Sequence, residues 1–125
     1  MIIVLIHWRI KPTAESDFLT WWKNTAVVKN KENLIGEFLS APMPAGEFKF
    51  AVDDLSPKQD EPLHTAFVNV GLWKDWQCFF DEVGHNFNDE RPPMPFEVAR
   101  RTRTILDPQA WRRGGFELES TCTCP

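Results

Sequence analysis

The sequence predicts an α+β domain with element order β-α-β-β-α-β, four antiparallel strands carrying two helices on one face. Two changes of hydrophobic period predict it. Ala66–Leu72 has β-branched and aromatic residues at strand spacing. At Trp73 the period lengthens, so that Trp76, Phe79, Phe80, Val83 and Phe87 mark one face of a helix. Earlier in the chain Ile2–Ile10 reads as a strand, and Phe18, Trp21, Trp22 and Thr25 then share a helical face. With two more strands placed by composition, this is the split-βαβ, ferredoxin-like order.

The first strand, Ile2–Ile10, is apolar on both faces in its first half. Ile2, Val4, Ile6, Trp8 and Ile10 occupy even positions; Ile3 and Leu5 precede His7 and Arg9 on odd ones. A one-sided antiparallel sheet needs only one apolar face, so something is expected to cover each. Helices cover one, and a second sheet from another subunit the other. Pro12-Thr13 opens the first helix, with Thr13 as N-cap and Glu15 and Asp17 at the positive end of the dipole. Ala14 and Ala26 lie near its apolar face, and it fades by Lys29–Asn33.

Leu34–Ala41 is the second strand; Gly36 marks a bulge, and Pro42 and Pro44 stop it. Within Pro44–Pro62, Glu47–Val52 reads as a short extra strand and the rest as an acidic surface loop, long enough to suggest function or mobility. Leu63–Leu72 is the third strand and Lys74–Gly84 the second helix, with Gly84 as C-cap and His85 just beyond. A loop, Asn86–Pro95, leads to the fourth strand, Phe96–Leu106, where Arg101 and Arg103 share one face and Arg100 points to the other. The domain therefore spans 1–106, followed by a C-terminal extension, 107–125.

A chain of 125 residues suits one domain that buries roughly two-thirds of its unfolded surface. Six Trp and ten Phe with no Tyr demand either a core of large side chains or an aromatic-lined pocket or interface. A net charge of −4 argues against a nucleic-acid partner. No apolar run is long enough to span a bilayer, and Met1–Ile6 is too short for a signal sequence, so the expected location is cytoplasmic. Cys78, on the second helix, reads as a small buried hydrophobe. Cys122 and Cys124 form a C-x-C in a tail read as frayed and silent.

The three His, at 7, 64 and 85, are too dispersed for a dedicated metal site, and neither a nucleophile elbow nor a phosphate-binding loop is present. His85 is the best placed to serve as a sole axial haem ligand; otherwise it is a helix-cap residue. Arg100, Arg101 and Arg103 need carboxylates or a ligand anion. The sharpest signal is Asn69, a polar residue in an apolar strand, four residues before Trp73 at the strand-to-helix corner. Thr65, Phe67, Asn69 and Gly71 share a face. If that face meets the helices, Asn69 stands in an apolar wall with Phe67, Trp22, Phe79 and Phe80, the composition of a small-molecule site.

The N-x3-W corner from Asn69 to Trp73 and the aromatic second helix resemble the antibiotic biosynthesis monooxygenase family of dimeric α+β barrels. The ending FEVARRTRTILDPQAWRRG is similar to bacterial members of that superfamily. The resemblance implies a homodimer paired sheet to sheet, with a pocket between each subunit's sheet and helices. It implies a cofactor-independent oxygenase acting on an aromatic or polyketide-like compound, with Asn69, Trp73, Arg100 and His85 as catalytic candidates. The alternatives are a non-catalytic ligand-binding or assembly protein of the same fold, and a haem-degrading protein that ligates haem through His85.

Overall fold

The computed structural model describes residues 1–25, 28–46 and 48–117. Its elements are β1 (Ile2–Ile10), α1 (Glu15–Asn24), β2 (Leu34–Ser40), β3 (Thr65–Trp73), α2 (Trp76–Glu82) and β4 (Glu97–Leu106). All strands lie in one four-stranded sheet of order β2-β3-β1-β4, and every pairing is antiparallel. This α+β arrangement is compatible with a ferredoxin-like fold. Ala26, Glu47 and the C-x-C pair lie outside the described residues.

The even residues of β1 face the helices. Trp8 and Ile10 pack with Phe18 of α1, Phe67 and Phe96; Ile2 and Val4 pack with Val28, Trp73, and Phe79 and Val83 from α2 and its end. Register makes the odd residues of β3 their neighbours: Trp8 opposes Phe67, Ile6 opposes Asn69, Val4 opposes Gly71 and Ile2 opposes Trp73. The expected parity of β3 therefore holds. On the opposite face, Ile3, Leu5 and His7 align with Leu72, Val70 and Val68, and all six are half-buried.

Local chemistry moves several boundaries. Pro12 starts a tight 3-10 turn, Pro12–Ala14, so α1 begins later than expected and Thr13 does not cap it; the N-cap position is Ala14, without a side-chain bond. The helix stops at Asn24, because β-branched Thr25 turns extended (φ −98°, ψ 111°), well before Lys29–Asn33. No extra strand forms among the described residues of Glu47–Val52; Phe48 and Phe50 pack on each other instead, ring centroids 5.3 Å apart. β3 starts two residues late, since His64 bonds back to the carbonyl of Pro62 (2.9 Å) in a local turn.

The second helix is shorter than expected. Asp75 caps it by accepting from the Cys78 backbone N–H (2.8 Å), which drives its carboxyl below the ordinary range. The helix ends at Glu82, with Val83 at the C-cap, and runs into a second 3-10 turn, Gly84–Asn86, which holds His85. Gly84 is no left-handed C-cap. A Cβ there would lie 3.0 Å from Phe79 Cε1, a tight contact that the ring would have to yield to. The aromatic stripe also splits: Phe79 and Val83 meet the sheet, whereas Trp76 and Phe80 stack on each other in solvent.

Candidate functional site

Register shifts in β2 and β4 aim side chains into one chamber. In β2, Leu34 opposes Trp73 but Gly36 opposes Leu72, so Ile35 is extra and is left exposed. The slip inverts the parity of the rest of the strand. Glu37 comes opposite Gly71 and Leu39 opposite Asn69, on the helix-facing side. In β4 the pairing jumps from His7–Thr102 to Arg9–Ala99, which sets Arg100 in the irregular step. Beyond it, Arg103 opposes Ile6 on the helix-facing side.

Between this face and the helices lies a cavity of about 530 Å³. One end is apolar, with Trp73 and Phe79 in edge-to-face contact (5.7 Å between centroids) and Val83 beside them. Gly71 lets the Trp73 indole lie close over the sheet, since a Cβ there would stand 3.3 Å from Trp73 Nε1. In the middle, Asn69 Nδ2 donates to Glu37 Oε1 at 2.8 Å. Asn69 is 4% exposed, and its Oδ1 has no partner among the described residues.

The other side is built from cations held in place. Glu97, its side chain fully buried, accepts from the backbone N–H of Met94 (3.0 Å), from that of Arg101 (3.2 Å), and from Arg101 Nη2 (2.5 Å). The Arg101 guanidinium lies 4.2 Å from the Trp8 ring centroid. Arg103 stacks on Phe87 (4.1 Å) and donates through Nη1 to Asp89 (2.8 Å), which holds the Asp89 carboxyl below the usual range. Trp8 Nε1 and Arg103 Nε are buried without a partner among the described residues.

Of the residues singled out from sequence, Asn69, Trp73, Trp22, Phe79 and Arg100 line this cavity. Arg100 is exposed and donates to the carbonyl of Arg91, so it tethers the loop at the cavity edge. Phe67 does not line it; the ring is packed beneath, 5.3 Å from Phe18. Phe80 and His85 lie outside, because Phe80 occupies the solvent side of α2 and His85 Nδ1 bonds the Phe80 carbonyl (2.8 Å). No His lines the chamber, so it does not fit haem held through His85.

Sequence reasoning did not single out Glu37, Trp8 or Glu97 as cavity residues, and named Arg103 only as one of three arginines able to meet a ligand anion. A glycine beside an acid in an apolar strand was the available signal for Glu37. Cys78, half-buried on α2, lies outside the cavity, and the Asp75 carboxylate beside it pushes its thiol up, away from a reactive thiolate. No protein-family model matches the chain, and no curated protein sequence is significantly similar to it.

Proposed function

We propose that this cavity binds a flat aromatic or polyketide-like molecule and that the chain acts on it as an oxygenase without a resident cofactor. One observation carries the reading. Asn69 is fixed by Glu37 on the wall of an otherwise apolar chamber, and its buried Oδ1 is left for an occupant. Leaving such an acceptor unpaired costs about 1–3 kcal/mol, which a ligand hydroxyl would recover. The volume lies within the range of small-molecule sites, about 300–1,000 Å³.

In this reading Trp73 packs on the ring system and Asn69 orients a ligand oxygen. Glu37, bonded to the Asn69 amide, is positioned to take the proton from an acidic C–H or O–H of the substrate. The resulting electron-rich substrate reduces dioxygen. One oxygen atom enters the substrate at a CH2 carbon, and the other leaves as water with that carbon's two hydrogens. The cations along β4 stabilise the anionic intermediate.

A second reading, binding without turnover, draws on the ion pairs: among the described lining residues, Glu97 and Asp89 are committed to Arg101 and Arg103, which leaves Glu37 as the carboxylate for proton transfer. Oxygen uptake on mixing the protein with a flat tricyclic phenol that carries a CH2 between its aromatic rings, lost in Glu37→Gln, supports the enzyme. Saturable quenching of Trp fluorescence without uptake supports the binding protein.

The sheet's other face suits a second copy of the chain. Ile3, Leu5, Val68, Val70 and Leu72, with Phe38 beside Val70, form a half-buried apolar surface that no helix covers. Pairing two such faces would close a barrel and leave both cavities intact on the outer sides.

A further inference from the structure

The cavity lining is cationic in a chain that is anionic. Arg91, Arg100, Arg101, Arg103, Lys23 and Lys31 line it. Among the described lining residues the carboxylates are Glu37, Asp89 and Glu97, so the cations outnumber them even without Lys23, while the whole chain carries −4. Low-dielectric walls focus such a field into a cleft.

The same lining holds three buried polar atoms without a partner among the described residues. Two are N–H donors, Trp8 Nε1 and Arg103 Nε, and one is an acceptor, Asn69 Oδ1. Trp8 and Asn69 are each 4% exposed, so solvent at the surface does not satisfy them. Their demands are complementary to one kind of molecule. The donors need oxygen acceptors, and Asn69 Oδ1 needs a hydroxyl. Arg103 already gives Nη1 to Asp89. Two open donors match the two oxygens of a carboxylate better than the three of a phosphate or sulfonate.

We infer that the occupant is an aromatic hydroxy-carboxylate, its carboxylate on the Arg103–Trp8 side and its hydroxyl on Asn69. This deepens the ligand reading above and rests on it. The apolar end formed by Trp73, Phe79 and Val83 then takes the ring edge. Asp89, whose side chain is 66% exposed, is the counter-ion that competes with the ligand for Arg103.

The test is a fluorescence titration of the full chain with hydroxynaphthoate and with its uncharged amide, hydroxynaphthamide. The acid is expected to bind at least about tenfold more tightly at low salt, with the advantage shrinking as salt rises. Arg103→Met should bring the acid down to the level of the amide. Asp89→Asn, a substitution at an exposed carboxylate, should tighten acid binding severalfold and leaves the fold unchallenged if Arg103→Met proves unstable. An amide that binds as tightly as the acid overturns the inference, as does an acid indifferent to both substitutions. If both probes bind equally and Asn69→Leu weakens both, the cavity reading stands and the anionic ligand falls. If neither binds, both fall.

Discussion

Asn69 and Arg103 face one cavity from the two strands that flank β1, and Ile6 is the register partner of both. Their Cα atoms are therefore about 10 Å apart, two interstrand steps, a span that one flat ring system can bridge. A ligand held at both ends couples them. In a double-mutant cycle on hydroxynaphthoate binding, Asn69→Leu and Arg103→Met are expected to be non-additive by about 1 kcal/mol or more. Additivity within about 0.3 kcal/mol would mean that no single ligand touches both.

Glu97 holds β4 to the cavity loop through three hydrogen bonds, one of them an ion pair with Arg101. Removing one partner of a buried pair strands the other, so Glu97→Ala should lower unfolding free energy by about 3 kcal/mol. Glu97→Ala/Arg101→Met should recover part of that loss, as read by urea denaturation. Equal losses in the single and double variants would show that the ion pair is not the source.

How much of this was legible depends on whether the information was local. The faces of β1 and β3 follow from period-two alternation, so Asn69 and Trp73 could be set on one face from sequence, whereas which face meets the helices could not. The bulge at Ile35 was marked by Gly36, but its consequence was not, because a one-residue slip changes the face of everything after it. Glu37 was invisible for that reason. Arg100 was favoured by the resemblance rather than by any strand signal, although Arg103 is the arginine aligned with Ile6. Phe80 was misplaced by the length of α2. In a seven-residue helix only the Phe79–Val83 row reaches the sheet, and the neighbouring Trp76–Phe80 row turns to solvent.

His7 lies on the sheet's other face, its Nε2 buried without a partner among the described residues. Burial first, then Arg9 and His64, lower its pKa from the ordinary 6.5, while Glu61 and Asp53 act the other way. The unfolded chain therefore binds the proton first as pH falls. Stability attributable to His7 is complete above its unfolded pKa and is lost as pH drops through the folded value. Urea unfolding of His7→Gln should show a shallower loss of stability below about pH 6.5 than the parent chain. An unchanged slope would assign the acid sensitivity to the carboxylates.

The open face tests association. Leu5 sits between Val70 and Thr104 at its centre. Light scattering of the parent chain should give twice the 14.5 kDa monomer mass, and Leu5→Arg should give the monomer. A parent chain that stays monomeric at micromolar concentration would rule the barrel out.

The most direct test is of Asn69 itself. Asn69→Leu deletes an unpaired buried acceptor, worth about 1 kcal/mol or more, together with one hydrogen bond to Glu37 of similar value, so the two effects nearly cancel. The expected result is a thermal midpoint unchanged or slightly raised, together with at least about tenfold weaker quenching of Trp fluorescence by hydroxynaphthoate. A large fall in the midpoint with ligand binding intact would make Asn69 a structural residue and contradict the assignment of this cavity as the functional site.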